Sequence, residues 1–219
     1  LGLDGIAFDG DRVGLGAAVT MARIAAEPRL GFLKPVAASI GGPAVRNMAT
    51  VGGNLFARYP YGDMAVALLA LDAEASIEGG SGERTIPLAD FLPDPRSHGG
   101  IVRALSFDLP ADGAFRFTKA IRKHPHGASV LSIAALLPVS GGTLTGVRVA
   151  YGAMDRRPMR ATAVETALEG KALDEAAIEA AVAVAGEGTA PETDPQASAW
   201  YRSAVLPVHL KRLLAEGRA

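Results

Sequence analysis

The chain has 219 residues, of which 49% are hydrophobic, enough to bury the core of one large domain or two small ones. Lysine and arginine total 22 and aspartate and glutamate 23, and this net charge of −1 argues against a nucleic acid partner, because phosphate binding requires a clustered cationic surface. Cysteine is absent and no apolar run approaches the roughly 20 residues that cross a bilayer, which excludes disulfides, thiolate-bound iron–sulfur clusters and a transmembrane segment within this sequence.

The first part of the chain predicts short strands and helices. We expect a short strand within residues 10–20 and helices at 17–26, 30–39 and 64–71. In the second helix, Pro35 fits only the first turn or a kink. Alternation predicts strands at 73–78 and 84–88, joined by the glycine-rich turn 79–82, and a loop follows at 91–100.

The later part predicts strands followed by helices. The turn-rich segment 108–113 separates two strands, and we place the domain boundary between residues 110 and 111. Residues 129–139 and 143–154 predict antiparallel strands joined by Gly141 and Gly142. Helices are expected at 161–168, at 174–185 with Asp174 as its start, and from about residue 197. The last helix presents four apolar residues at helical spacing: Trp200, Leu206, Leu210 and Leu213. Helices on one face of a small antiparallel sheet make an α+β domain.

A glycine-rich motif lies within residues 40–55. Gly52 and Gly53 lack a Cβ, so this loop can adopt positive φ and bring its N–H groups close to an anion. Thr50 adds a hydroxyl donor and Asn54 an amide donor. A diphosphate is the natural ligand for such a cradle. The alternative is a tight turn between a helix and a buried segment, which is a common place for paired glycines.

Several motifs follow one another along the chain, and their order indicates a protein family more specifically than any single motif does. They are residues 13–20, 45–47, 49–55, 60–63 and 68–73, Lys119 after Phe115 and Phe117, and the late pair Tyr201 and Arg202. Over nearly the full length, this set resembles the FAD-binding (medium) subunit of the molybdenum hydroxylases, the family of the xanthine and carbon monoxide dehydrogenases.

The resemblance implies an α+β fold in two parts. Residues 1–110 would be the second subdomain of an FAD-binding domain of the PCMH type. Residues 111–219 would be a C-terminal α+β domain with a small antiparallel sheet packed against helices. The first subdomain, which carries an Ala-Gly-Gly-Thr-like turn in this family, is expected upstream of Leu1, because no matching turn occurs in this sequence.

The resemblance also implies a cofactor site. The residues around the diphosphate of FAD would be Thr50, Val51, Gly52, Gly53 and Asn54. Asp63 would lie near the ribityl chain or the ring, and Lys119 near the ring edge, where a cation stabilises anionic reduced flavin. The residues themselves leave alternatives open: a helix N-cap for Asp63 and a solvated strand-end lysine for Lys119. Arg46 would contact the diphosphate or tie the loop to a carboxylate elsewhere.

The aromatic residues and histidines give less evidence about a functional site. Tyr59 and Tyr61 would stack on a flavin or adenine, or would be partly exposed turn aromatics. The loop His124-Pro125-His126-Gly127 departs from the family pattern. No three histidines or carboxylates have metal-ligand spacing, so we predict surface histidines and no metal site. We also predict no general acid or base acting on the organic substrate.

The function implied by the resemblance is that of an FAD-dependent oxidoreductase subunit in a heteromeric complex. A large subunit would hold molybdopterin cytosine dinucleotide or a similar molybdenum cofactor, and a small subunit two [2Fe–2S] clusters, in a dimer of heterotrimers. Electrons would pass through FAD on this chain to NAD, quinone, oxygen or another acceptor. The expected location is cytoplasmic, with membrane association left open. The alternatives are a stand-alone flavin oxidoreductase of the vanillyl-alcohol-oxidase type and a non-catalytic assembly subunit that has lost flavin.

Overall fold

The computed structural model describes residues 2–80 and 82–216; Leu1 and Ser81, the latter in the predicted turn 79–82, lie outside the described residues. The strands are β1 (Ile6–Asp9), β2 (Arg12–Gly16), β3 (Glu74–Gly79), β4 (Gly82–Pro87), β5 (Ile101–Asp108), β6 (Phe115–Ile121), β7 (Ser129–Leu136), β8 (Val139–Ser140), β9 (Thr143–Leu144), β10 (Arg148–Gly152) and β11 (Met159–Arg160). The α-helices are α1 (Met21–Ala26), α2 (Lys34–Ala38), α3 (Pro43–Met48), α4 (Val51–Leu55), α5 (Asp63–Ala70), α6 (Leu88–Phe91), α7 (Thr162–Leu168), α8 (Glu175–Ala183) and α9 (Ala199–Ala215), with a 3₁₀ helix at Pro28–Leu33.

The first sheet is antiparallel, with strand order β1-β2-β5-β3-β4. The central strand β5 alternates, so Leu105 and Phe107 are fully buried while Asp108 at its end is exposed. All eight residues of α5 are buried. A helix that is apolar all round belongs inside a core, and α5 therefore lies at the centre of the molecule.

The second sheet is also antiparallel, with order β11-β10-β7-β6. Helix α5 packs against β7 and β10, whereas α9 packs against β6 and β7 and α7 against β10. Strand β7 is buried along nearly its whole length because both of its faces are covered: Ala134 belongs to the first core, and Leu131 and Ile133 to the second. The predicted α+β fold, with a small antiparallel sheet packed against helices, is confirmed. The division at residues 110 and 111 stays a prediction.

The helix predicted over residues 17–26 starts later than expected. Thr20 is the N-cap, and its side chain accepts a hydrogen bond from the amide of Arg23, so that α1 begins at Met21. The helix predicted over residues 30–39 is instead a 3₁₀ helix followed by α2, with Pro35 in the first turn of α2, as expected. Asp174 caps α8 through the amide of Ala177, which confirms its predicted role.

Helix α9 differs from the prediction at its start. Leu206, Leu210 and Leu213 are buried as expected, but Trp200 is 77% exposed. Arg202 lies four residues before Leu206 and is 0% exposed, so that it continues the buried stripe. We expected Trp200 on the buried face of the helix because it is apolar. The helical register instead places Arg202 on that face. Among the described helices, none is long and apolar enough to cross a membrane.

Candidate functional site

The glycine motif forms a short helix packed against an earlier segment. Thr50 is the N-cap of α4, and its Oγ1 accepts a hydrogen bond from the amide of Gly53. A Cβ added to Gly52 would lie 2.8 Å from both the Cβ and the carbonyl oxygen of Ala17. Gly52 is therefore needed for the close approach of α4 to the chain at Ala17. Neither Gly52 nor Gly53 has a positive φ, so the predicted left-handed loop is wrong.

Four consecutive amides of this motif, those of residues 51–54, donate inside the protein. Val51 N donates to Val19 O at 2.9 Å and Gly52 N to Ala17 O at 2.9 Å. Gly53 N donates to Thr50 Oγ1 at 3.1 Å, and Asn54 N to Thr50 O at 3.0 Å. Helix formation and pairing with residues 17–19 satisfy these four amides, and contact of residues 50–54 with the diphosphate of FAD stays a prediction. The tight-turn alternative comes closer, since the segment is one helical turn.

The motif nevertheless borders an open, mostly apolar groove of about 410 Å³. Thr50 and Gly53 line it together with Phe56 and Ile101, whose side chains are exposed. A Cβ added to Gly53 would meet only Thr50 Oγ1, at 3.0 Å, so its backbone faces the groove openly. An open, mostly apolar groove of this kind is suited to a planar aromatic group. Asn54 points elsewhere: its Oδ1 accepts from Ala65 N at 3.0 Å and joins α4 to α5.

Asp63 and Lys119, predicted from distant parts of the chain, are in direct contact. Lys119 Nζ lies 2.7 Å from Asp63 Oδ2 and donates also to Ser39 O at 3.0 Å, while Ser129 Oγ donates to Asp63 Oδ1 at 2.7 Å. The side chain of Lys119 is 9% exposed and that of Asp63 is 6% exposed. Asp63 is not an N-cap, since Gly62 occupies that position, and Lys119 is not a solvated lysine. Both alternatives are wrong, and a role of either residue toward FAD stays a prediction.

Arg46 fastens α3 to the preceding loop. Its Nη1 donates to the carbonyls of Ala38, at 3.2 Å, and Gly41. The expected tie to a carboxylate is wrong, because backbone carbonyls take that place. Contact of Arg46 with a diphosphate stays a prediction.

A buried arginine, for which the sequence indicated no role, connects to this pair. Arg202 Nη1 donates to Ser129 O at 3.2 Å and to Val130 O, and its Nη2 lies 2.7 Å from Asp194 Oδ2. Ser129 therefore touches Asp63 through its hydroxyl and Arg202 through its carbonyl. The sequence spacing could have predicted that Arg202 is buried, because Arg202, Leu206 and Leu210 recur every four residues along one helix face.

Tyr59 belongs to the same network. Its hydroxyl accepts from Glu192 N at 3.1 Å and lies 3.1 Å from Ala153 O, and Arg202 lies over its ring at 5.1 Å. Burial raises the pKa of Tyr59, an effect opposed by the nearby Arg202 charge. Tyr59 is thus a partly exposed residue of a turn, held by these contacts, and Tyr61 is exposed. Stacking of either ring on a flavin or adenine stays a prediction.

The histidines differ in their surroundings. His124 and His126 are exposed as predicted, whereas His98 stacks on Phe91 with ring centroids 5.2 Å apart. His209 is half-buried, and burial lowers its pKa with a further contribution from Arg212. Within residues 2–80 and 82–216, no three His, Asp or Glu side chains are grouped to hold a metal ion.

Two family models match the chain one after the other. The first, described as the FAD binding domain in molybdopterin dehydrogenase, matches residues 1–110. The chain belongs to this family. The second, described as the CO dehydrogenase flavoprotein C-terminal domain, matches residues 115–216. This flavoprotein is therefore an FAD-binding oxidoreductase subunit of the molybdenum hydroxylase family, as the motifs predicted.

Similar proteins of known function are medium chains of dehydrogenases. The glyceraldehyde dehydrogenase medium chain of Sulfolobus acidocaldarius is 29% identical over 78% of this chain, and the aligned part spans 62% of that relative. The carbon monoxide dehydrogenase medium chain of Afipia carboxidovorans is 27% identical over 99% of this chain and 78% of its own length.

Solved structures have the same fold. Reconstituted CO dehydrogenase from Oligotropha carboxidovorans matches with a TM-score of 0.88 and 26% identity, covering 99% of this chain and 78% of that one. Quinoline 2-oxidoreductase from Pseudomonas putida 86 matches with a TM-score of 0.84 and 25% identity, covering 98% and 77% of the two chains.

Proposed function

We propose that this flavoprotein is the electron-transfer subunit of a multisubunit molybdopterin hydroxylase or dehydrogenase. The observation that carries the proposal is the ordered match of both family models, the FAD-binding one and the flavoprotein C-terminal one, along the chain. Bound FAD supplies the redox chemistry, taking up electrons and passing them to an external acceptor, while the protein binds and orients it.

The chain's own residues would act in two places. Thr50 and Gly53 would contact a planar part of FAD along the groove that they line. Asp63 and Lys119 would approach the ribityl chain or the ring edge as one neutral pair, because each compensates the charge of the other. The remaining predicted residues support this surface: Val51 within the core, Gly52 against Ala17, Asn54 on Ala65 and Arg46 on the loop before α3.

The partner subunits in this proposal carry the other redox centres. A large subunit with a molybdenum cofactor would oxidise the organic substrate, and a small subunit with [2Fe–2S] clusters would pass electrons to FAD on this chain. The assembly would be a cytoplasmic dimer of heterotrimers. Support comes from the names of similar chains, which are medium chains or subunits, and from a related CO dehydrogenase structure described as lacking the Mo-pyranopterin moiety of its cofactor.

The test is native purification of the full-length protein with its co-purifying chains. We expect a flavin absorption band together with iron–sulfur and molybdenum-containing partners. Gly53→Val places a branched side chain in the groove and should lower the FAD content of the complex. Gly31→Val is the matched control, because a Cβ at Gly31 meets no atom within 4 Å and this glycine does not line the groove.

A colourless chain without partners would contradict the proposal. Equal flavin content in the Gly53→Val and Gly31→Val proteins would leave the family role intact but remove the groove as the flavin contact.

A further inference from the structure

Arg202 on α9 is connected to both ends of one short segment, residues 59–63, which leads into α5. At the beginning of the segment, the Arg202 guanidinium lies over the Tyr59 ring, with its Cζ 5.1 Å from the ring centroid. At the end of the segment, Asp63 accepts from the Ser129 hydroxyl at 2.7 Å, and the Ser129 carbonyl accepts from Arg202 Nη1 at 3.2 Å. One side chain of the last helix is therefore linked to both ends of a segment from the first core.

Other contacts that hold this segment also come from the later part of the chain. The Tyr59 hydroxyl accepts from Glu192 N at 3.1 Å and lies 3.1 Å from Ala153 O. Residues 59–62 lie outside the helices and strands, and Tyr61 among them is 58% exposed. The position of such a segment depends on its side-chain contacts, because no strand or helix ladder fixes its backbone.

Stability alone does not explain why position 202 holds an arginine. The side chain is 0% exposed, and among the described residues its Nε has no hydrogen-bond partner. Asp194 balances the charge, with Oδ2 2.7 Å from Arg202 Nη2. A buried ion pair is often no more stabilising than apolar side chains of similar volume, because both charges are removed from water. An apolar side chain would lack the directed contacts of Arg202 with the Ser129 and Val130 carbonyls and with the charged face of an aromatic ring.

We propose that Arg202 is a positioning residue for the flavin environment. By holding Tyr59 and the start of β7, it fixes residues 59–63 and thereby the geometry of Asp63 toward Lys119. This inference rests on the proposed function, in which the Asp63–Lys119 pair approaches FAD. Because Arg202 is fully buried, it acts through these neighbours and not by contact with the cofactor.

Loss of Arg202 should lower the reduction potential of bound flavin. The Ser129 hydroxyl would no longer be held against Asp63, and a carboxylate that loses a hydrogen-bond donor neutralises the Lys119 ammonium more completely. A weaker cationic field stabilises anionic reduced flavin less. We expect the equilibrium constant for flavin reduction to fall about tenfold, which is about 30 mV for a two-electron couple.

The experiment uses the native complex with Arg202→Met, Arg202→Lys, or Arg202→Met combined with Asp194→Asn. The combined change removes both charges of the ion pair, and an amide oxygen can still accept from the backbone amides that Asp194 Oδ1 binds, those of residues 196 and 197. It should therefore fold more stably than Arg202→Met alone. Arg212→Met is the matched control, because Arg212 is an exposed arginine on the same helix.

The measurements are FAD per subunit, stability in urea, and the flavin potential from reductive titration against a reference dye. A positioning role predicts a lowered potential in the combined variant even though its stability recovers, a value closer to wild type in Arg202→Lys, and the wild-type value in Arg212→Met. A purely structural role predicts that the potential recovers together with stability. A potential of the combined variant that equals or exceeds that of the wild type, or the same decrease in Arg212→Met, overturns the proposal.

The proposed function can fail separately. If the wild-type protein carries no flavin, or a variant does not retain it, amide hydrogen exchange across residues 59–63 decides whether Arg202 positions this segment. Faster exchange there in the combined variant than in Arg212→Met supports the positioning of the segment and attributes the failure to the flavin role. Equal exchange in the two variants overturns the inference.

Discussion

Asp63 and Lys119 are 56 positions apart and meet in a pair that is nearly closed to solvent. Removing two charges from water costs several kcal/mol each, so such a pair is retained only where both partners are well bonded. Ser129 and the Ser39 carbonyl provide the additional bonds. At the residue scale, two residues that the sequence shows far apart thus form one coupled group.

Asp63→Asn should destabilise the protein by about 3 kcal/mol, because it leaves the Lys119 ammonium buried without a counter-charge. The change in the free energy of unfolding is measured by urea denaturation. Asp108→Asn is the control: Asp108 lies 3.3 Å from Arg12 Nη1 but is 74% exposed. Its loss should cost less than about 1 kcal/mol. Equal effects of the two changes would mean that the Asp63 pair is as weak as a surface pair.

His209 should make stability depend on pH. Burial lowers the pKa of His209 below its ordinary value of 6.5, so the unfolded chain takes up a proton at this site before the folded one does. Stability contributed by neutral His209 is present above pH 6.5 and decreases as the pH falls from there toward the folded pKa. In His209→Gln, this part of the decrease should disappear from urea denaturation curves recorded across that range. An unchanged pH dependence would show that other groups cause it.

At the scale of elements, two adjacent glycines of α4 have opposite surroundings. Both glycines line the groove, but a Cβ on Gly52 would point into Ala17, whereas a Cβ on Gly53 would meet only Thr50 Oγ1. A sequence shows two identical residues here, and only the packing of α4 distinguishes a structural glycine from a surface one.

Gly52→Ala should destabilise the protein by about 1–3 kcal/mol, since its Cβ would lie 2.8 Å from two atoms of Ala17 and the backbone would have to shift. Gly53→Ala should change stability by less than about 1 kcal/mol. There, the gain in helix propensity is set against one contact of 3.0 Å with Thr50 Oγ1. Urea denaturation of the two variants provides the comparison. A larger cost for Gly53→Ala than for Gly52→Ala would contradict the packing of α4.

At the scale of the whole molecule, one network connects the two cores. Asp63 begins α5, Ser129 begins β7, and Arg202 reaches β7 from α9, so that hydrogen bonds run from the first core to the last helix. Because β7 is covered by α5 on one face and by α9 on the other, displacement of either helix would disturb the Asp63 pair.

Arg202→Met should destabilise the protein by about 3–5 kcal/mol, because Asp194 and the carbonyls of Ser129 and Val130 lose their partner. Amide hydrogen exchange should increase along β7 as well as in α9. Trp200→Ala on the same helix is the control, and its effect should stay within about 0.5 kcal/mol because the side chain is exposed. A greater loss in the tryptophan variant would contradict the register of α9.

Local pattern was enough for several features. Alternation in residues 73–78 and 84–88 and the capping aspartate at position 174 predicted elements that the structure contains, because strand period and cap chemistry act over a few residues. The ordered motifs also indicated the family. Pattern failed at Trp200, because hydropathy alone does not reveal which face of a helix is covered.

The sequence by itself determined the family, the α+β class and the residues that gather near α5. Only the tertiary structure decided how those residues are used: two amides of the glycine motif bond to residues 17–19, Asp63 takes Lys119 as its partner, and Arg202 takes Asp194. The physical reason is the distance along the chain over which each interaction acts. Periodicity and capping are set by neighbours along the chain, whereas the partner of a charge or an amide is set by whatever distant segment the fold brings beside it.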